Sequence, residues 1–210
     1  MKPRIKICGL TRIEDLQLAV NAGADAVGLV FYPPSPRHVD LSTAAELARG
    51  VPPFVTLVGL FVNAAPEVVR ETLAAVPIHL LQFHGDEDEN YCRQFDRPYI
   101  KAARVKPGMD LVQYAAEFPS AQAILLDAFV DGYGGGGKVF DWTLIPKVLG
   151  KPIVLSGGLD AGNVGEAIAC VRPAAVDVSS GVEASRGIKD AEKIHAFVTA
   201  VRAAGLMPTD

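Results

Sequence analysis

An eight-stranded parallel α/β barrel, the (βα)8 or TIM barrel, is the fold this sequence predicts. Three observations point to it. Short apolar, β-branched runs alternate with amphipathic helical stretches, about 25 residues from one run to the next. Eight such units fit into 210 residues, the short end for a barrel, so residues 1–210 read as one domain. The last two runs, Ile153-Val-Leu-Ser-Gly-Gly-Leu159 and Ala175-Val-Asp-Val-Ser-Ser-Gly-Val182, each break off in Ser and Gly one strand apart. A doubly wound open sheet would need fewer units.

The elements follow in order. Arg4 to Gly9 reads as strand 1, and period 2 sends Ile5 and Ile7 to the helical layer while Lys6 and Cys8 face the lumen. Thr11-Arg-Ile-Glu14 has the form of a capping box, and Ile13, Leu16 and Val20 make the buried stripe of a helix that Gly23 ends. Strand 2 is Ala26–Phe31, followed by a proline-stiffened loop through His38 and a helix from about Ser42 to Arg49. Strand 3 runs from Val55 to Phe61, its helix from Pro66 to Ala75. Strand 4 runs from His79 to Phe83, and the four acids Asp86–Glu89 open a helix where its dipole favours them. Strand 5 (Tyr99–Arg104) precedes a helix near Asp110–Phe118. Strand 6 (Ala123–Ala128) leads into a glycine-rich loop and a helix opening at Asp141-Trp142. After strand 7, Asn163 and Glu166 are spaced to cap a helix. Asp190 caps the last helix, with Ile194, Phe197, Val198 and Val201 at helical spacing, and Gly205 to Asp210 reads as a tail.

Composition narrows the function. Half the residues are hydrophobic and 21% charged, enough for a full core. A net charge of −4 argues against nucleic acid or an anionic membrane as partner, so a bound phosphate must be held by oriented backbone N–H groups. Three scattered cysteines form neither a disulfide framework nor a metal pair, and no signal peptide or membrane-length apolar run is seen, so a cytoplasmic protein is expected. The four histidines have no ligand spacing, and no metal is expected. A monomer is expected, because no helix offers a second apolar stripe.

Barrel strands aim their C-terminal residues at one mouth. Here that gathers Cys8, Arg37, Gln82 with His84, Arg104, Asp127, and Asp177 with Ser179. Cysteine is a common core filler, but Cys8 precedes a Gly-Leu-Thr turn and sits above Lys6. Asp127 ends an apolar run, where an inward carboxylate is costly unless used. Arg37 is held over the mouth by its prolines. His84 is balanced between a structural hydrogen bond and a ligand contact. Gly157 and Gly158 in one corner, and Ser179, Ser180 and Gly181 in the other, suit a phosphate grip, because glycine admits an anion to bare backbone N–H groups. Gly132 to Lys138 fits G-x-x-x-x-G-K, but Val139 stands where a Mg²⁺-binding Ser or Thr should be, so a substrate-covering loop is the better reading than a nucleotide site.

Taken together, Lys6-Ile-Cys-Gly-Leu-Thr11, Ser35-Pro-Arg-His38, Leu81-Gln-Phe-His-Gly85, Leu126-Asp127, Leu155-Ser-Gly-Gly-Leu159 and Val176-Asp-Val-Ser-Ser-Gly-Val-Glu183 resemble the phosphoribosylanthranilate isomerases of tryptophan biosynthesis. The likeness runs the length of the chain. It implies a barrel of the ribulose-phosphate-binding type and a cofactor-free aldose–ketose isomerisation of N-(5-phosphoribosyl)anthranilate, a small-molecule substrate. By the resemblance Cys8 takes the general-base position and Asp127 the general-acid position. Arg37 meets the anthranilate carboxylate, the strand 7 and 8 turns hold the phosphate, and Asp177 lies near the substrate. Thiol and carboxylate references of about 8.5 and about 3.9 favour the opposite protonation, a gap on the order of 6 kcal/mol. The expectation is that desolvation raises Asp127 and that Lys6 lowers Cys8.

Overall fold

The chain, seen in a computed structural model that describes residues 2–128 and 141–205, closes eight parallel strands into a barrel in sequence order. The strands are β1 (Arg4–Cys8), β2 (Ala26–Val30), β3 (Thr56–Phe61), β4 (Leu80–Phe83), β5 (Tyr99–Val105), β6 (Ala123–Ala128), β7 (Ile153–Leu155) and β8 (Ala175–Val178). The first strand pairs with both β2 and β8, which removes any open edge. Around them lie α1 (Ile13–Ala22), α2 (Leu41–Arg49), α3 (Pro66–Ala75), α4 (Glu89–Cys92), α5 (Leu111–Ala116), α6 (Val164–Val171) and α7 (Ala191–Ala204). A short antiparallel hairpin, β9 (Glu183–Ser185) and β10 (Ile188–Lys189), follows the last barrel strand.

Two apolar regions result from the strand period. Ile5, Ile7, Leu29, Phe61 and Phe83 turn outward and pack under the helices. Phe31 stacks on Phe61 at 5.2 Å between centroids, and Tyr91 of α4 meets the Phe83 ring edge-on at 5.5 Å. Inward-facing Ile100, Ala102, Ala123, Leu125 and Val154 fill the N-terminal half of the lumen. This plug leaves only the C-terminal mouth for polar groups.

Several local expectations give way to tertiary partners. Thr11 does not cap α1: its Oγ1 donates to the Gly187 carbonyl at 2.6 Å, and the cap position falls to Arg12, which makes no side-chain cap bond. Asn163 likewise makes no cap bond to α6. Its Nδ2 donates to the Gly158 carbonyl and its Oδ1 accepts from Asp160 N, both at 2.9 Å, so it staples the strand 7 corner. The acids Asp86–Glu89 do not all line a helix start. Asp88 caps the short α4 by accepting from Tyr91 N, whereas Glu87 is buried against Lys101 at 3.0 Å. Among the described residues only a single 3₁₀ turn, Trp142–Leu144, follows β6 in place of the expected helix. The glycine-rich stretch and its Gly132–Lys138 motif lie outside the described residues, as do the tail residues 206–210. No helix among the described residues is long and apolar enough to cross a membrane.

Candidate active site

Strand alternation delivers Cys8 from β1, Asp127 from β6 and Asp177 from β8 to the mouth of the lumen. They line one cavity together with His84, Ser179 and, from the loop after β2, Arg37. That loop turns back on its own strand, with Val39 N donating to the Val30 carbonyl at 3.1 Å, and so brings Arg37 over the opening. With Gln82, which also lines it, seven residues singled out in the sequence thus meet in one place. Arg104 also stands at the rim, but its Nη2 is paired with Asp86 at 2.9 Å.

Cys8 is 4% exposed, and its neighbour across the strand pair is Gly28. Burial pushes the thiol above its ordinary value. Lys6 pulls the other way, but Asp177 offsets it. Lys6 Nζ lies 2.9 Å from Asp177 Oδ1, both side chains buried, so its charge is shared with that carboxylate. Lys6 does lower Cys8 as expected, but desolvation outweighs it, so the net shift is upward and favours the thiol.

Asp127 is 8% exposed and doubly held. Its Oδ1 accepts from Ala128 N at 2.8 Å, and its Oδ2 lies 3.1 Å from His84 Nε2. Gln82, fully buried beneath, places its Nε2 3.0 Å from His84 Nδ1, while Gln82 Oε1 has no hydrogen-bond partner. Donation from the amide leaves Nδ1 as acceptor and Nε2–H as donor to the carboxylate. Both ring nitrogens of His84 are engaged in structural hydrogen bonds, and the residue also lines the cavity, where a ligand would touch it. Gln82 was placed at the mouth from sequence, but its link to Asp127 through His84 was not.

The two Ser/Gly corners are side by side. Gly157 and Gly158 both adopt left-handed backbone, φ +86° and +64°. A Cβ on Gly157 would stand 2.5 Å from Ala128 N and 2.9 Å from Asp127 Oδ1, so this corner packs directly on the Asp127 carboxyl. Gly181 in the second corner abuts the Leu159 carbonyl of the first. Ser180 opens the 3₁₀ turn Ser180–Val182 that leads out of the second corner.

The charges behind the second corner escaped the sequence reading. Arg37 sends Nε and Nη2 to the two carboxylate oxygens of Glu183 at 2.6 and 2.8 Å. Lys189 Nζ reaches Glu183 Oε1 at 3.0 Å and the Ser179 carbonyl at 3.0 Å. Nothing local signals a buried cation in Gly187-Ile-Lys-Asp190, and the pair closes only when the hairpin folds over the mouth. Among the described residues no group of three or more His, Cys, Asp or Glu is placed to hold a metal.

The arrangement can donate a proton from one wall, accept one at another, and hold anions at two further points. Comparison with known proteins agrees with it. The sequence profile of the family described as N-(5'phosphoribosyl)anthranilate (PRA) isomerase matches residues 5–200. The N-(5'-phosphoribosyl)anthranilate isomerase of Dechloromonas aromatica is 68% identical over 204 residues, covering 97% of this chain and 98% of that protein. The crystal structure of the Thermotoga maritima phosphoribosyl anthranilate isomerase superposes with a TM-score of 0.89 at 42% identity, covering 96% of this chain and 99% of that one. A further crystal structure, of such an isomerase in complex with reduced 1-(o-carboxyphenylamino)-1-deoxyribulose 5-phosphate, gives 0.84 at 40% identity, again covering 96% and 99%. The fold, the grouped mouth residues and these matches together make the chain a member of the N-(5'-phosphoribosyl)anthranilate isomerase family.

Proposed function

We propose that Cys8 and Asp127 carry the isomerisation of N-(5'-phosphoribosyl)anthranilate, the tryptophan-biosynthetic reaction of the family to which this chain belongs. The observation that supports the assignment is the shared cavity, to which β1 supplies the Cys8 thiol and β6 the Asp127 carboxyl, while Asp177 and His84, which also line it, are paired with Lys6 and with Asp127 itself. The substrate is a cyclic glycosylamine. The reacting form carries the Cys8 proton on Asp127, a thiolate and a carboxylic acid in place of the resting thiol and carboxylate. Asp127 then gives that proton to the ring oxygen as the C1–O bond breaks, leaving an iminium at C1. Cys8 then takes the C2 proton as thiolate, and the electron pair moves toward nitrogen to form an enolamine. A proton added at C1 and one lost from the C2 hydroxyl give the ketose. Nothing is oxidised or reduced overall, so no cofactor is called for.

Binding follows the same division. Arg37 takes the anthranilate carboxylate with the part of its guanidinium that Glu183 leaves uncovered. The corners with Gly157 and Gly158 and with Ser179, Ser180 and Gly181 hold the 5′ phosphate, and Asp177 with its Lys6 partner walls the ribose. His84 holds Asp127 in place. Every group invoked comes from a single chain, so we take the monomer as the working unit.

The test is the purified protein with its substrate, followed by the decay of anthranilate-type fluorescence. Cys8→Ala and Asp127→Asn should each abolish turnover while a reduced product analogue binds within about ten-fold of the wild type. Loss of binding with turnover intact would reverse the assignment.

A further inference from the structure

Lys189 is 4% exposed and makes three contacts, two of them to one residue. Its Nζ is 3.0 Å from the Ser179 carbonyl, 3.3 Å from Ser179 Oγ and 3.0 Å from Glu183 Oε1. An ammonium has three N–H donors and no acceptor, so these contacts use it fully and it cannot itself reach a ligand. The direction of the bond at Oγ is fixed for the same reason: lysine donates and the serine oxygen accepts. The single hydroxyl proton of Ser179 must then point away from Lys189, and Ser179 lines the cavity.

Charge adds to orientation. Arg37 and Lys189 share one carboxylate, Glu183, which leaves one positive charge buried behind the corner in a chain of net charge −4. Lys189 is also fixed from its backbone, where its N–H donates to Asp15 Oδ2 at 3.0 Å. Such anchoring costs entropy that a mere surface lysine would keep.

We propose that Lys189 is a positioning residue of the phosphate subsite, committing the Ser179 hydroxyl to donate toward an anion in the cavity and placing an uncompensated cation behind it. This rests on the reading that the substrate's phosphate sits at the strand 7 and 8 corners. A negatively charged phosphoryl oxygen is the acceptor that a committed hydroxyl with a cation behind it favours most.

Inorganic phosphate is the probe, titrated calorimetrically into the intact wild type, Lys189→Met, Ser179→Ala and the double variant, with anthranilate as control. In Lys189→Met the Arg37–Glu183 pair remains, so the variant strands no buried carboxylate. Lys189→Met and Ser179→Ala should each weaken phosphate about ten-fold, and anthranilate should stay within about two-fold for both. The double variant should bind phosphate no worse than Lys189→Met, because an unoriented hydroxyl contributes little more when removed. Losses that multiply, or an unchanged phosphate affinity in Lys189→Met, would overturn the proposal. Should that variant not fold, Ser179→Ala decides alone, and unchanged phosphate affinity there refutes it. Failure of phosphate to compete with substrate in the wild type would instead remove the subsite reading itself.

Discussion

Arg37 and Glu183 meet as a two-pronged ion pair, Nε to Oε1 and Nη2 to Oε2, with the two residues each 7% exposed. The pair joins the loop after β2 to the hairpin after β8 across 146 residues of sequence. It leaves Arg37 charged, oriented and only partly satisfied, the state in which a guanidinium receives a second carboxylate. Glu183→Gln would strand two buried cations, Arg37 and Lys189. A loss on the order of 3–5 kcal/mol is expected, read by denaturant unfolding at neutral pH.

The same carboxylate gives a pH signature. Burial works to raise Glu183, but Arg37 and Lys189 outweigh it and hold the group below its ordinary 4.5. A carboxyl held low when folded stabilises fully above the unfolded value, and that stability is lost as pH falls through the lower folded value. Wild-type stability should therefore decline below about pH 4.5, and Glu183→Gln should lack that part of the decline. Equal acid slopes in the two proteins would mean that the pair contributes nothing.

For Cys8, the proposed base, burial pushes the thiol above its ordinary 9.0, and Lys6 is the largest influence in the other direction. Turnover that needs the thiolate should keep rising with pH through the ordinary thiol range. Lys6→Met should lower kcat/KM at neutral pH and move the rise to still higher pH. Asp177→Asn in the same chain removes the carboxylate left unpaired and separates a folding defect from the shift. An unmoved limb would take Lys6 out of this role.

How far the sequence carries is visible in these residues. Lys6, Cys8, Asp127 and Asp177 were legible as lumen groups because strand alternation is a local property with a period of two. The strand bounds follow for the same reason, matching at Ala123–Ala128 and differing by one residue at one end of each of the first five strands. Thr11 and Asn163 misled because their capping patterns are local while their actual partners, Gly187 and the Asp160 and Gly158 backbone, are set by the folded corner. Nothing local marks Lys189 as buried; Glu87 reads only as a helix-opening acid and Glu183 only as the end of a motif. Their charges make sense only beside Arg37, Ser179 and Lys101, which the barrel brings to them.

The three cysteines should separate cleanly by alkylation. Cys170 is exposed, while Cys8 and Cys92 are buried. Burial raises the Cys92 thiol to about 12 and raises Cys8 as well. Iodoacetamide at pH 8 should label Cys170 first, with the other two slower by at least an order of magnitude, as read by peptide mass spectrometry. Labelling of Cys8 at the Cys170 rate would contradict its burial and the raised thiol together.

Gly28 sets the space in which the thiol sits. A Cβ there would lie 2.7 Å from Cys8 Sγ, 3.2 Å from Cys8 Cα and 3.2 Å from Lys6 Cε. Its φ is not in the left-handed region, so Gly28→Ala strains no backbone. Stiffening the unfolded chain would by itself stabilise by about 0.4–1 kcal/mol. Overpacking a closed lumen costs about 1–3 kcal/mol, and the contact with Cys8 Cα cannot be relieved by a rotamer change. The second effect is the larger, so the melting temperature should fall and the thiol should be pushed out of line with the sugar. The expected result is a drop in kcat of about ten-fold or more with KM changed little, because Arg37 and the phosphate corners are untouched. A Gly28→Ala protein that melts higher and turns over normally would show that the Cys8 side chain has room the structure denies it.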